Sequence, residues 1–482
     1  MGQGANAGAD DAIALAGNAA GGKSVAIGVG SNAAAFEAVA LGRFAVALDQ
    51  NAIAVGKGSQ ANATGASVLG TDAVSDSLNG TALGKNSKVG LGSADAIALG
   101  NGAQVSKGTA VGATATKGVA IGAGAKVFKD SGVALGDGAT VTATAINGLA
   151  LGKGANAADV DAIALRGNAA GQNAVAVGVG SSATGLNSLA LQGSAPGADS
   201  IAIGRLATTG AFASRSIAVG QGANAGGVDS IALSGNATGE NSVAIGFSTN
   251  ATGTDAVGLG PSATAQGNNA IAVGRGSQAN ASGASVLGTN AVSDSLNGTA
   301  LGKNSKIGLG SVDAIAIGNG AEVSKGTLGT NFANKGVAIG AGAKVFKDSG
   351  VALGDGATVT VTGTNGLALG KEASVAGVDA IALRGSAAGS NAVAVGLGSS
   401  AAGADALALR GSALAASSVA IGVGTNVNAN ATDGVALGKN AAVNADVTNS
   451  VALGAGSVAD ASDTISVGKA GPGGQRKIVN LA

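Results

Sequence analysis

The sequence predicts an all-β solenoid, a parallel β-roll in which short strands stack coil upon coil. A short phrase, Ser24-Val25-Ala26-Ile27-Gly28, returns with small changes from one end of the chain to the other. About 34 such phrases fit the chain, and so short a repeat is typical of solenoids. The composition agrees, since 46% of the 482 residues are hydrophobic and only 11% are charged, the opposite of a disordered chain.

The spacing of the phrases predicts the size of one coil. The second large aliphatic residue of the phrase falls at Ile27, Leu41 and Val55, in steps of 14, and elsewhere the step is 12 or 16. Strand side chains alternate between two faces, so an even insertion keeps every inward residue inward. A helical repeat needs more than about 30 residues, whereas about 14 residues suffice for two short strands and two turns.

The alternation within the phrase suggests how the strand packs. We expect Val25 and Ile27 to face the coil interior and Ala26 and Gly28 to face the other way. Because small residues permit close approach of another layer, we expect a neighbouring chain to cover that second face. The alternative is a monomeric roll with an exposed alanine-rich stripe, which soluble monomers rarely carry. The candidate residues for core and trimer packing are Val25, Ile27, Val39, Leu41, Val243, Ile245, Val419 and Ile421.

The segments between phrases are rich in turn residues, and a longer repeat is superimposed on them. Gly, Ser and Asn dominate residues 30–32, 62–65 and 236–239. Residues 60–70 return almost unchanged as residues 278–288, an offset of 218 that also relates other blocks. The phrase at residues 109–112 is broken in its copy at residues 327–330. We interpret the duplication as a way to lengthen the roll.

Composition and charge exclude several classes of function. The formal net charge is zero and we see no basic stripe, so we do not expect nucleic-acid binding. No apolar run is long enough for a membrane helix, and the first residues have no basic segment and no apolar core, so we expect neither a membrane helix nor a signal peptide in this sequence. It is therefore expected to be cytosolic or a fragment of a longer protein. Without His or Cys, nucleophilic catalysis through His and the usual zinc ligands are excluded, and we expect no cofactor or metal.

Two features have competing interpretations. Residues 17–24 match a phosphate-binding loop, but Ser24 opens a strand phrase instead of a helix, so we do not expect nucleotide binding. Rare phenylalanines stand near charges in several turns. They are either plugs that cover the roll or exposed contact points, and the candidate surface contacts are Phe128, Lys129, Phe212, Phe346 and Lys347.

Several phrases resemble a known family. Residues 173–178, 241–246 and 391–396 resemble the head repeats of trimeric autotransporter adhesins, the YadA-like head. The C-terminus is similar to the neck motif of that family, with an aliphatic-Ser-Val-Gly phrase at residues 465–468 and an Arg-x-Ile-x-Asn stretch that begins at Arg476. The matching neck positions are Val467, Arg476, Ile478 and Asn480. We expect a head over residues 1–462 and a neck, truncated in this sequence, over residues 463–482.

The resemblance implies a fold, an assembly and a function. It implies a left-handed parallel β-roll in a side-by-side homotrimer, held at the bacterial cell surface by stalk and outer-membrane anchor segments outside this sequence. It implies binding to host cells or to matrix proteins such as collagen, fibronectin or laminin. It also implies contact with like adhesins on other cells, with autoaggregation and biofilm formation. We therefore expect a non-enzymatic adhesin head, and the alternative is a passive spacer with no ligand of its own.

Overall fold

The computed structural model describes residues 2, 4–108, 114–326 and 332–480. The divergent stretches at residues 109–112 and 327–330 lie outside the described residues, as do residues 481–482. The described regular structure consists of 64 short β-strands, and every pairing between strands is parallel in the registers given by the ladder. The chain forms two compact units, Met1–Ala237 and Thr238–Ala482, each built from the same coil.

One coil contains two strands and two turns. A strand of the repeated phrase, such as Val39–Leu41, leads through a first turn into a two-residue strand, here Val46–Ala47. A second turn then leads to the next phrase strand, Ile53–Val55. In the described part of the chain, phrase strands pair only with phrase strands and the short strands between them only with each other, so each unit has a phrase sheet and a short-strand sheet.

The phrase strands are as follows. In the first unit they are Ile13–Leu15, Val25–Ile27, Val39–Leu41, Ile53–Val55, Ser67–Leu69, Thr81–Leu83, Ile97–Leu99, Val119–Ile121, Val133–Leu135, Leu149–Leu151, Ile163–Leu165, Val175–Val177, Leu189–Leu191, Ile201–Ile203, Ile217–Val219 and Ile231–Leu233. In the second unit they are Val243–Ile245, Val257–Leu259, Ile271–Val273, Ser285–Leu287, Thr299–Leu301, Ile315–Ile317, Val337–Ile339, Val351–Leu353, Leu367–Leu369, Ile381–Leu383, Val393–Val395, Leu407–Leu409, Val419–Ile421, Val435–Leu437, Val451–Leu453 and Ile465–Ser466.

The two-residue strands complete the coils. In the first unit they are Asn6–Ala7, Asn18–Ala19, Asn32–Ala33, Val46–Ala47, Gln60–Ala61, Val74–Ser75, Lys88–Val89, Gln104–Val105, Lys126–Val127, Thr140–Val141, Asn156–Ala157, Asn168–Ala169, Ser182–Ala183, Ser194–Ala195, Thr208–Thr209, Asn224–Ala225 and Asn236–Ala237. In the second unit they are Asn250–Ala251, Thr264–Ala265, Gln278–Ala279, Val292–Ser293, Lys306–Ile307, Glu322–Val323, Lys344–Val345, Thr358–Val359, Ser374–Val375, Ser386–Ala387, Ser400–Ala401, Ser412–Ala413, Asn426–Val427, Ala442–Val443 and Val458–Ala459.

The coil length varies only by even steps, as the sequence predicts. Val25 pairs with Val39, 14 residues on, while Ile163 pairs with Val175 and Thr81 with Ile97, steps of 12 and 16. Shortened coils lose residues from the first turn, as at residues 166–167, and 16-residue coils gain them in the second turn, as at residues 90–95. Both changes leave the strands in register because their side chains have period two.

The facing expected for the phrase is wrong. Ala26 is completely buried inside the coil, whereas Val25 is half-buried and Ile27 is 37% exposed on the outer face of the phrase sheet. The same holds for the pairs Val39 and Leu41, Val243 and Ile245, and Val419 and Ile421, which flank the buried residues Ala40, Ala244 and Ala420. The physical reason is the narrow coil: two sheets joined by short turns leave room mainly for Ala, Ser and Gly between them.

Valines of the short-strand sheet enter the interior beside a glycine that stands on the opposite wall, as one coil of the first unit illustrates. Val127 and Val141, on the short-strand sheet, are fully buried. Across from them stands Gly132, where other coils carry Ser or Ala. A Cβ atom at Gly132 would lie 2.8 Å from the Val141 Cγ1 atom and 2.9 Å from the Val127 Cγ1 atom. The side-chain volume inside the coil therefore stays nearly constant, because a larger residue on one wall faces a smaller residue on the other.

Candidate interaction surfaces

The outer face of the phrase sheet is an aliphatic surface. Two rows made mostly of Val, Ile and Leu side chains flank a buried row made mostly of alanines in each unit. Ile245 is 38% exposed and Leu69 is 50% exposed, so this face keeps contact with solvent along each unit. Such contiguous apolar faces mark interaction sites in soluble proteins. We call this surface the aliphatic face, and it contains all eight residues expected to pack in the core or the trimer.

The first turns form one edge of the roll, which we call the first-turn edge. Their backbones stack: the Gly58 amide donates to the Arg43 carbonyl oxygen at 2.9 Å, and the Gly102 amide donates to that of Lys85 at 2.9 Å. Cations outnumber anions here, and among the described first turns the acidic residues are Asp72, Asp137, Asp355 and Glu372. The cations are Arg43, Lys57, Lys85, Lys153, Arg166 and Arg205 in the first unit and Arg275, Lys303, Lys371, Arg384, Arg410 and Lys439 in the second.

The cations of the first-turn edge correct the expectation that the chain has no basic stripe. The zero net charge averages over the whole chain, whereas coil stacking aligns residues that stand 12 to 16 positions apart in sequence. Neighbouring strands lie about 4.8 Å apart, so aligned cations in nearby coils share one surface. The absence of nucleic-acid partners stays a prediction.

The second turns form the opposite edge, the second-turn edge, and most acidic residues lie on it. They are Asp10, Asp11, Glu37, Asp49, Asp76, Asp95, Asp130, Asp159, Asp161, Asp199 and Asp229 in the first unit and Glu240, Asp255, Asp294, Asp313, Asp348, Asp379, Asp405, Asp433, Asp446, Asp460 and Asp463 in the second. The cations among them are Lys23, Lys107, Lys117, Lys129, Arg215, Lys325, Lys335 and Lys347.

Hydrogen bonds between coils order this acidic edge. The Asn79 Nδ2 atom donates to Asp95 Oδ1 at 3.0 Å, and the Asn297 Nδ2 atom donates to Asp313 Oδ1 at 2.9 Å. These residues have left-handed backbones, with a φ of 57° at Asp95, which Asn and Asp tolerate better than most residues. An amide thus separates successive carboxylates, and this limits repulsion along the column.

A hydrogen bond donated by the Gln50 amide is the main cause that lowers the pKa of Asp49 on this edge. Two further acidic side chains on the edge also have lowered pKa values. Bidentate hydrogen bonds from Arg215 hold the pKa of Asp229 below its usual value, and both N···O distances are 2.6 Å. Burial alone would raise the pKa of Asp130, but hydrogen bonds from Thr114 and Thr116 lower it overall. Both carboxylates are therefore charged at neutral pH and add to the acidic edge.

The candidate aromatic contacts separate into two kinds. Phe212, at the tip of an extended second turn, is 94% exposed. Phe128 and Phe346 follow short strands and are half-buried, as are Lys129 and Lys347. Phe346 lines a shallow groove with Leu309 and Lys325. Geometry therefore favours the contact interpretation for Phe212 and the covering interpretation for the other two phenylalanines.

Other exposed apolar residues were missed by the sequence analysis. Phe247 is 77% exposed on a first turn, and Val179, Leu206 and Leu397 also stand out from first turns. Each directly follows the phrase glycine or comes one residue later. Aligning the coils on that glycine would have placed them at two adjacent positions of the first turn.

The C-terminal segment folds back onto the last coils. The Arg476 Nη1 atom donates to Ser457 Oγ at 2.7 Å and to the Val467 carbonyl oxygen at 3.3 Å. Its Nη2 atom donates to the Ala455 carbonyl oxygen. Val467 is half-buried, whereas Ile478 and Asn480 are exposed. Arg476 therefore covers backbone acceptors at the end of the roll, and the other neck positions stay predictions.

The described residues bear on the metal and phosphate sites that the sequence raised. They contain no group of three or more acidic side chains placed to hold a metal ion. Residues 17–24 lead into a strand, and Lys23 lies 3.8 Å from Glu37 in the neighbouring coil. In the part of the chain that the structure describes, no helix has the length and apolar character to cross a membrane.

Comparison with known families agrees with this geometry. The family model for the YadA head domain repeat, which spans two copies of the repeat, matches in both units of the chain. It matches residues 35–59, 113–139, 143–165, 169–191, 213–233, 237–257, 251–277, 334–357, 362–383 and 448–469. None of the curated proteins matches the chain. With its repeats matched in both units and its all-β coil, the chain belongs to the YadA-like head domains of trimeric autotransporter adhesins.

Proposed function

We propose that this chain is the adhesive head of a bacterial surface protein and acts as a homotrimer. The family consists of surface-exposed adhesins anchored in the outer membrane, and its β-solenoid heads are non-enzymatic in kind. The ligands we propose are host cells or matrix proteins of the collagen, fibronectin or laminin class. Contact with like heads on other cells would add autoaggregation and biofilm formation.

The aliphatic face is the observation that carries the proposal. Its Val, Ile and Leu rows run along each unit and are half-exposed in a single chain. Packing three aliphatic faces around one axis would remove them from water, at about 25 cal/mol per Å² of apolar surface buried. The short-strand sheet and the tips of the second turns would then face outward, where ligands could reach them.

Weak contacts would gain strength from repetition. A trimer presents each outward turn three times, and the 218-residue duplication repeats several turns within one chain. Linked contacts raise the apparent affinity through effective concentration without any new interaction. We therefore propose that ligand binding is multivalent and that no single deep pocket is required.

Phe212 is the best placed residue for a first test. Replacing residues 210–215 with the shorter turn of residues 226–229 removes Phe212 and two positions, which preserves the strand register. We expect binding to immobilised collagen, fibronectin or laminin to fall about tenfold or more, since exposed aromatics often dominate interfaces. Surface plasmon resonance measures the loss.

The matched control shortens an extended turn that has no phenylalanine, residues 142–147, in the same way. Light scattering must show that both variants keep the assembly state of the unmodified chain. If the Phe212 turn can be removed without loss of binding while the assembly persists, that contact is excluded. A head that assembles but binds no matrix protein, no cell and no other head would instead be the passive spacer.

A further inference from the structure

We infer that the two oppositely charged edges specify how neighbouring chains align: the first-turn edge of one protomer faces the second-turn edge of the next. This inference rests on the proposed side-by-side assembly but goes beyond it. Neither adhesion nor apolar packing requires the two edges to carry opposite charges, and the inference gives this separation of charge a function.

A cyclic assembly makes this pairing geometrically necessary. When identical rolls turn their aliphatic faces to a common axis and point the same way, each chain's first-turn edge lies beside its neighbour's second-turn edge. Such contacts are heterologous, so complementary surfaces on one chain satisfy them. The basic edge and the acidic edge are complementary in this sense.

The charges are also matched coil by coil. Lys85 and Asp95 lie on the two turns of one coil, and Lys303 and Asp313 lie on the two turns of its duplicated counterpart. All four side chains are exposed in the single chain. Rotation about an axis parallel to the roll, with no shift along it, brings the cation of one chain to the level of the anion of the next.

An antiparallel arrangement would be opposed by the same charges. If one roll were reversed end to end against the aliphatic face of another, each edge would lie beside its own equivalent. Acidic turns would then face acidic turns, and basic turns would face basic turns. The aliphatic rows alone discriminate poorly between the two directions, so the charged edges supply the repulsive element that specificity requires.

The chain itself shows that charge reversal is compatible with the fold. The turn position of Asp95 and Asp313 is occupied by Lys117 and Lys335 in other coils, with a φ of 57° in both cases. Lys can therefore replace Asp there. On the first-turn edge, Asp137 and Asp355 occupy the position equivalent to Lys85, so acids are accommodated there as well.

The experiment asks whether two versions of the full chain sort themselves. One version exchanges the charges of both edges in three coils, and it carries the substitutions Lys85→Glu, Asp95→Lys, Lys153→Glu, Asp161→Lys, Lys303→Glu and Asp313→Lys. Lys153 already has an exposed intrachain neighbour, since its Nζ atom lies 3.9 Å from Asp137, but such surface pairs contribute little. The exchanged chain and a mass-tagged unmodified chain are unfolded together, refolded at low salt and analysed by native mass spectrometry.

We expect each version to assemble with itself and mixed assemblies to be depleted. Random mixing of two equivalent chains would give roughly three mixed trimers for every homotrimer. At salt near 1 M, where the Debye length falls to about 3 Å, the mixture should move towards that ratio. The control exchanges charges on the short-strand sheet, with Lys88→Glu, Lys126→Glu and Glu322→Lys, and should mix at random at low salt.

Random mixing of the edge-exchanged chain at low salt would overturn the inference while leaving the assembly intact. Sorting by the short-strand control as well would also overturn it, because the effect would then not belong to the edges. A monomeric unmodified chain would contradict the proposed assembly itself. Circular dichroism of each purified variant shows whether the exchanged chain keeps its fold.

Discussion

At the scale of single residues, the roll is governed by volume. Ala dominates the interior, and valines such as Val127 and Val141 are admitted where the opposite residue is Gly132. A serine buried in the interior must in addition find a hydrogen-bond partner for its hydroxyl group. The Ser200 Oγ atom, for instance, donates to the Gly197 carbonyl oxygen at 2.6 Å, so its hydroxyl is satisfied without a larger side chain.

Because Gly132 and Val141 share one space, we expect a single substitution at either position to destabilise the roll and the combination of both to restore part of the stability. Gly132→Ala adds one methyl group where two valine methyl groups already lie within 3 Å, so we expect a loss of about 1–3 kcal/mol in the free energy of unfolding. Val141→Ala alone also destabilises, because it leaves a cavity. Urea unfolding followed by circular dichroism measures both losses.

The double variant provides the test of mechanism. If the two walls share one volume, Gly132→Ala with Val141→Ala loses less than the sum of the single losses, since the new methyl group partly fills the cavity. Strictly additive losses would mean that the two positions do not compete for space.

At the scale of the strand, neighbouring residues have separate tasks. In Val243–Ile245 the central Ala244 is completely buried, while Ile245 points to the outside and is 38% exposed. One phrase strand thus contributes one residue to the interior of its own coil and others to the surface that can contact another chain.

This division predicts opposite failures for two adjacent substitutions. Ala244→Asp places a carboxylate inside the coil, where no space or partner exists, so the coils around it should unfold. Ile245→Asp places the same group on the aliphatic face, so the single chain should keep its fold and lose the ability to assemble. Circular dichroism and light scattering separate the two outcomes. Normal assembly of Ile245→Asp would remove the aliphatic face from the proposed interface.

At the scale of the whole molecule, the repeated phrase supplies both the strands of the fold and the apolar surface for the proposed assembly. If three chains associate, light scattering coupled to size exclusion should give a mass near three times the 44.0 kDa of one chain. Because apolar burial is insensitive to screening, the mass should persist in high salt even where the selection between edges weakens. A mass of one chain under both conditions would contradict the proposed trimer.

The sequence predicts the fold well for a physical reason. Even steps and the Val-Ala-Ile alternation report strand period directly, so the parallel roll and its register follow from Val25, Val39 and their repeats. The facing does not follow, because period two shows which residues share a side and not which side is inside. That choice depends on coil width, which sequence spacing leaves undetermined.

The surface was harder to predict than the core. Lys85 and Lys303 look isolated in the sequence, and the basic edge appears only when coils are stacked on the phrase glycine. The exposure of Phe212 depends on an extended turn, whereas Phe128 is half-buried although both were equally plausible contacts. Local composition alone does not distinguish a turn tip from a turn base.

The even register has a consequence for how such a gene can change. An in-frame gain or loss of a single codon would turn the following strand over and expose its alanines in place of its aliphatic residues. Codons must therefore be gained or lost in pairs, and the coils of 12, 14 and 16 residues all obey this parity. Turn length on this scaffold can then change freely, provided that it changes by two residues at a time.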